Sequence, residues 1–233
     1  MKRFFALFAM LCALAAAPVA AQTSPVVVEL YTSQGCSSCP PADALLKKLT
    51  QRDDVLPLAL HVDYWDYLGW KDKFADPSHA VRQKGFARVG GRKMVYTPQM
   101  IVMGQEDVVG AHGMELADLI SAHSKKAPSL TVDLEREGGD LTVRVASAGG
   151  PLTGTFDIHL VRFTPYHEVK VKRGENAGRV LGYANVVDGW SVLGQWDPED
   201  ATEITVALDG DRPAAILVQR ADYGPILGAA VAD

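Results

Sequence analysis

Two cysteines three positions apart, Cys36 and Cys39, stand directly between a strand-like run and a helix-like one. Pro25 to Tyr31 is short, apolar and rich in β-branched residues, the pattern of a buried strand. Pro40-Pro41-Ala42-Asp43 then opens a helical pattern with Leu45, Leu46 and Leu49 on one face. Proline is tolerated in a first helical turn because the N–H groups there have no partner within the helix. Leu56 to Val62 reads as a second buried strand. A strand, a Cys pair, a helix and a strand in that order predict a right-handed crossover between parallel neighbours.

Thr97-Pro98 precedes a third strand, Gln99 to Met103, and the turn at Gly104–Asp107 leads into Val108 to Ala111 as a hairpin. Pro77 to Val89 and Met114 to Ser124 have helical spacing. The resulting order, β-α-β-α-β-β-α, is that of a thioredoxin fold. From Ser129 the character changes to short alternating runs divided by Gly and Pro: 130–134, 141–145, 155–163, 167–172, 180–187, 203–208 and 214–219. Such a series suggests a β-sandwich. The fold expected is therefore α/β: a thioredoxin-like domain over 22–126, then an all-β sandwich-like domain over 129–233, joined by Lys125-Lys126-Ala127-Pro128.

Residues 1–21 stand apart. Lys2 and Arg3 precede an apolar run, Phe4 to Ala17, and then small residues up to Ala21, the three-part layout of a secretory signal peptide. The run is shorter than the ~20 residues of a membrane span. Removal of this segment takes Cys12 with it and leaves Cys36 and Cys39 alone. The expected location is periplasmic or secreted, where disulfides persist, with no membrane attachment after cleavage. The formal charge of −5 falls to about −7 without Lys2 and Arg3, and no block of like positive charge follows. Nucleic acid is thus a poor partner.

Thiol exchange needs an attacking thiolate and a second thiol near enough to resolve the mixed disulfide. Two intervening residues at a helix start supply both, and the helix N-terminus lowers the pKa of the first thiol. Cys36 is assigned as nucleophile and Cys39 as resolving thiol, one turn in and partly covered. A bridge kept only for stability is the plainer alternative, but so short a ring contributes only about 2 kcal/mol in the loop-entropy treatment. Zinc wants four ligands, and neither a second Cys pair nor a close His pair exists. Cu(I) held by both thiolates with a Met or His stays open. No metal or cofactor is assigned.

Four segments, Leu30 to Asp43, His61 to Trp70, Tyr96 to Met100 and Gly174 to Arg179, together resemble a bacterial family of secreted, thioredoxin-like proteins of unassigned function. The resemblance implies a thioredoxin fold, redox activity and a cis-proline beside the sulfurs at Pro98. Its role would be to leave the Thr97 backbone free to pair with a bound peptide strand; a trans proline opening an edge strand is the alternative. Gly35 stands where thioredoxins carry Trp, and Ser37-Ser38 where they carry Gly-Pro.

Asp63, Tyr64 and Trp65, at the end of the second strand, are candidates for a substrate-facing rim whose acids assist proton transfer to Cys39. An aromatic plug in the domain interface is the competing reading. His61 shares a strand face with Asp63 and is more simply a core residue. Ser37 and Ser38 are candidate helix caps. The polar stretch from Lys172 to Arg179 reads either as a contact to the Cys site or a partner or as an ordinary solvated turn, and no site is assigned there. The expected activity is disulfide exchange with protein thiols and disulfides and a separate redox partner. A copper carrier, or a binding module with an incidental bridge, are the alternatives.

Overall fold

The computed structural model describes residues 24–149 and 152–232. The signal-peptide reading and Cys12 lie outside those residues. The element order expected for the first half is found. β1 (Val26–Thr32), α1 (Pro40–Leu49), β2 (Val55–His61), α2 (Pro77–Val89), β3 (Gln99–Val102), β4 (Glu106–Val109) and α3 (Gly113–Ser124) follow in turn. β1 and β2 are parallel, β3 pairs antiparallel with β1, and β4 pairs antiparallel with β3 at the sheet edge. Both β1 and β2 are buried along their whole length, which is why they read as continuous apolar runs.

α2 starts sharply because Asp76 caps it, its carboxylate accepting from the Ser78 N–H at 2.8 Å, with Pro77 in the first turn. Asp76→Ala is expected to lower stability by about 1 kcal/mol in urea denaturation, and a loss within error would mean that tertiary contacts alone fix this helix start.

The second half holds β5 (Leu130–Glu137), β6 (Asp140–Ser147), β7 (Phe156–Lys170), β8 (Val180–Trp196), β9 (Thr202–Ala207), β10 (Ala214–Arg220) and β11 (Ile226–Ala232). Four of these extend the first sheet, giving eight strands in the order β11-β10-β7-β8-β2-β1-β3-β4. The junction is the parallel pair Ala59–Val186 between β2 and β8. β5, β6 and β9 form a second, three-stranded sheet. The turn between sequence halves thus falls between α3 and β5, while hydrogen bonding continues across it.

Alternation along β7 and β10 explains the layering. Ile158 and Leu160, with Ile216 and Val218, face β5 and β6 in one apolar core. Val161, Phe163, Ala215 and Leu217 belong to the other, which contains β1, β2 and α1. Across the sheet, buried Arg82 of α2 donates two hydrogen bonds to Glu29 of β1 (2.8 and 2.7 Å) and one to Gln219 of β10 (3.0 Å). Its guanidinium lies over the Trp190 ring at 4.1 Å. One side chain thereby ties both halves of the large sheet together.

The expected strands 155–163 and 167–172 are one long strand, and the one expected over 180–187 runs on to Trp196. β7 runs through Pro165, which is exposed, and opposite it Asn185 takes φ 46 and donates its side-chain amide to the Pro57 carbonyl at 2.9 Å. β11 was not expected from the sequence: Gly228 and its alanines lack the β-branched signature. Small residues are needed there because a Cβ at Gly228 would run into Leu130.

Candidate functional site

β1 and β3 are antiparallel neighbours, with Tyr31 opposite Gln99. The loop leaving β1 and the loop entering β3 therefore meet at one edge of the sheet. The first carries Cys36 and Cys39, and the second carries Thr97-Pro98, whose peptide bond is cis. Trp65 links the two: its indole N–H donates to the Thr97 hydroxyl at 2.7 Å, and its backbone packs against Gly35. A Cβ at Gly35 would lie 3.2 Å from the Trp65 carbonyl oxygen, which accounts for glycine in the place of a bulkier residue.

Cys36 and Cys39 are joined in a disulfide with Cα atoms 5.4 Å apart. Helix α1 begins after the pair rather than within it. Cys39 is its N-cap, and the Ala42 and Asp43 N–H groups donate to the Cys39 carbonyl. Pro40 and Pro41 set this start, since neither has an N–H to offer a turn further back. Neither serine caps the helix. The Ser38 hydroxyl instead lies 3.4 Å from Cys36 Sγ. Cys36 retains 4% exposure and Cys39 none, so the pair is more covered than expected and access is confined to the Cys36 side.

Of the expected rim, Trp65 and Tyr64 are half-buried against the core, and Tyr64 donates to Gln83 Oε1 at 3.0 Å. Burial raises the Tyr64 phenol to about 12. Asp63 closes a turn through its carbonyl to the Asp66 N–H. Tyr67, 76% exposed, is the open member of this loop and stacks against Trp65.

Beneath the pair lies a buried polar group that the sequence reading distributed differently. Asp43, one helical turn beyond Cys39, accepts from the Thr32 hydroxyl at 2.8 Å, and its second oxygen has no partner among the described residues. Desolvation raises its carboxyl to about 7, with His61 opposing and Asp72 adding to the rise. Asp72 accepts from the Gln34 N–H at 2.8 Å, from His61 Nδ1 at 2.7 Å and from the Phe74 N–H at 2.9 Å. His61 Nδ1 donates to that carboxylate, and its Nε2 has no hydrogen-bond partner among the described residues. Tyr183 packs edge-on to His61 at 4.8 Å, its phenol pushed far above the ordinary range by burial and by Asp43 and Asp72. His61 is thus a core residue that also belongs to this cluster.

Of the two readings of the 172–179 stretch, contact with the Cys loop is the one found. Asn176, 1% exposed, donates from Nδ2 to the carbonyls of Gln34 (3.0 Å) and Cys36 (2.9 Å), and its Oδ1 accepts from Arg179 at 2.9 Å. Gly174, at φ +75, passes the Trp70 and Leu68 backbone so closely that a Cβ would sit 3.2 Å from Trp70 Cβ. Trp70 in turn donates to Gln34 Oε1 at 2.8 Å.

A family model described as a protein of unknown function, DUF1223, matches residues 27–219. The chain belongs to the DUF1223 family. Its match spans the Cys loop, the Thr97-Pro98 segment and the Asn176 loop alike. Among solved structures, protein AGR_C_4864 from Agrobacterium tumefaciens is 32% identical, with a TM-score of 0.77 over 91% of this chain and 95% of that one. HBP35 of Porphyromonas gingivalis shares the fold at 14% identity, with a TM-score of 0.61 over 90% of this chain and 75% of that one. No curated protein matches.

Asp43, Asp72 and Tyr183 were not singled out from the sequence, and Asn176 lay in a stretch to which no site was assigned. Asp43 was detectable: it stands on the same face of α1 as Ala42, Leu46 and Leu49, all buried, and a carboxylate on a core face is a signal in itself. Asn176 gave no comparable sign, being 140 residues from the carbonyl of Cys36 that it holds.

Proposed function

We propose that this DUF1223 protein is an exported thiol–disulfide oxidoreductase that exchanges the Cys36–Cys39 disulfide with protein thiols. The observation that carries the reading is the Cys36–Cys39 bridge set in the loop after β1, buried except for a residual 4% at Cys36, with Trp65 joining its loop to the cis Thr97-Pro98 segment. A thioredoxin-like first half is part of the same reading. It is supported by the order of elements and by the parallel β1–α1–β2 unit.

The exchange runs as two thiolate displacements. A substrate thiolate attacks Cys36 Sγ, forming a mixed disulfide. The Cys36–Cys39 bond breaks and its electron pair leaves on Cys39 Sγ. Asp43, buried one turn away and neutral below about pH 7, supplies the proton that makes the Cys39 thiol. The substrate's second thiolate then attacks its own sulfur in the mixed disulfide and releases Cys36 as a thiolate. Ser38 Oγ, 3.4 Å from Cys36 Sγ, and the start of α1 stabilise that charge. The substrate thiols release two protons to solvent and two electrons pass to the protein; one proton returns from solvent to Asp43, and Cys36 ends as the thiolate. A disulfide on a redox partner reverses these steps and restores the bridge.

The test is a trapping experiment. Cys39→Ala is expected to accumulate a mixed disulfide through Cys36 with a reduced, unfolded protein, while Cys36→Ala gives none and loses exchange with glutathione. Failure of wild type to exchange with either would remove this function.

A further inference from the structure

The chain carries −5 overall, yet residues 81–95 hold five cations, Arg82, Lys84, Arg88, Arg92 and Lys93, and no Asp or Glu. Two of the five are neutralised, Arg82 by Glu29 and Arg92 by Asp107. Lys84, Arg88 and Lys93 are exposed, and among the described residues none has a carboxylate within ion-pair reach. They border an open cleft of about 650 Å³ between the end of α2 and the segment entering β3, together with Met94 and Val95. Met94 is 74% exposed. A long apolar side chain left in solvent among unpaired cations is the makeup of a docking surface for a polypeptide rather than for a lone anion.

The position of the cleft ties it to the redox reading, on which this inference rests. Val95 is two residues from Thr97, so its Cα is within about 7.6 Å of the Thr97 Cα. The segment between is held in place, the Tyr96 carbonyl accepting from Gln83 Nε2 at 2.7 Å and the Thr97 hydroxyl from Trp65. A polypeptide lying along Thr97 with its sulfur at Cys36 would run its next residues past Val95 and Met94 into the cationic cleft.

We infer that this cleft is a docking site for an acidic segment of the protein partner, flanking the cysteine that exchanges with Cys36. The net negative charge of the whole chain repels acidic peptides at long range. A preference for them therefore has to come from the local group of Lys84, Arg88 and Lys93. Salt screens such an attraction strongly, because all three cations are exposed.

The test uses two labelled peptides of equal length, one with Asp and Glu flanking a central serine and one with Lys in the same places. With serine in place of cysteine, binding is read apart from chemistry. The acidic peptide is expected to bind the full-length oxidised protein about tenfold more tightly at low salt, and the preference is expected to fade near 0.3 M salt, where the screening length is only about 6 Å. The triple variant Lys84→Glu, Arg88→Glu, Lys93→Glu is expected to lose it. Lys84→Glu with Lys93→Glu, which spares the Arg88–Tyr223 contact, is expected to lose most of it. Equal binding of both peptides, or a preference unchanged in either variant, overturns the inference. Glutathione exchange measured on the same samples separates the two ideas. Exchange without charge preference removes the cleft alone, and charge preference without exchange removes the redox reading alone.

Discussion

Asp43→Asn is expected to stabilise the protein increasingly as pH rises from about 4 to 7, and to leave it nearly unchanged below pH 4. The native Asp43 carboxyl holds its proton up to about 7 because burial disfavours the anion. In the unfolded chain the same group ionises near the ordinary carboxylate value of about 3.9. Between these two values the native state binds the extra proton, so stability falls as pH rises across that window and is level above it. Three pH units correspond to a loss of up to about 4 kcal/mol. Asparagine keeps an oxygen for the Thr32 hydroxyl and cannot ionise, so the loss disappears.

Buried histidines work in the opposite direction. Desolvation, with Arg82 adding to it, lowers His159 to about 4, and burial also lowers His79. Their unfolded values lie near 6.5. The unfolded chain therefore takes up more protons below that pH, and these groups add stability as pH rises from 4 to 6.5. Wild-type stability over this range is a partial cancellation. The difference between Asp43→Asn and wild type removes the histidines from the comparison. Urea denaturation at pH 4.5, 6 and 8 should give a gap that opens steadily with pH, and a constant gap would mean Asp43 ionises normally. Exchange kinetics provide an independent reading. Without the Asp43 proton, reduction of the bridge at pH 6 is expected to slow on the order of a hundredfold, and the inflection near pH 7 should vanish.

How far the sequence reached depended on how local the determinants were. The Cys loop, α1 and the Thr97-Pro98 turn were legible because each is fixed by residues within about a dozen positions: an apolar run, two prolines, a second apolar run. The hairpin of β3 and β4 was legible for the same reason. What failed were features decided by distant partners. Pro165 and Gly189 look like strand breaks, yet β7 and β8 continue through them as paired neighbours, with the register shifting at Arg162–Phe163. Arg82 gave no sign that it would reach both Glu29 and Gln219, 53 and 137 positions away. The series of short strands predicted a sandwich, and a two-layer packing exists. One of its layers is also the end of the eight-stranded sheet, a sharing that hydropathy along the chain does not encode. At the site the rim acids drew attention because they cluster in sequence, whereas Asp43 stood alone in a leucine-rich helix.

Asn176→Ala is expected to loosen the Cys loop and to change its chemistry together. The amide of Asn176 is the donor for two buried carbonyls, those of Gln34 and Cys36, on either side of Gly35. Alanine leaves both without it, at about 1–3 kcal/mol for each buried acceptor left unpaired, or roughly 2–6 kcal/mol in urea denaturation. A loss of stability alone would make Asn176 a structural clamp. Its donation also withdraws negative charge from two carbonyl oxygens of the Cys36 loop, one of them that of Cys36 itself. Without it those oxygens oppose a thiolate at Cys36, so the pKa of Cys36 in the reduced variant should rise by about one unit, a 1.4 kcal/mol penalty on the anion. Asn176→Asp is the sharper version, because it keeps the shape and sets a carboxylate against the same carbonyls; the Cys36 pKa should rise further in it. If both variants lose stability while the Cys36 pKa stays at its wild-type value, the loop from β7 to β8 only holds the Cys segment in place. If the pKa moves in the order Asn, Ala, Asp, a residue 140 positions beyond Cys36 sets the reactivity of its sulfur. The second half of the chain would then be part of the reacting unit rather than an appendage to it.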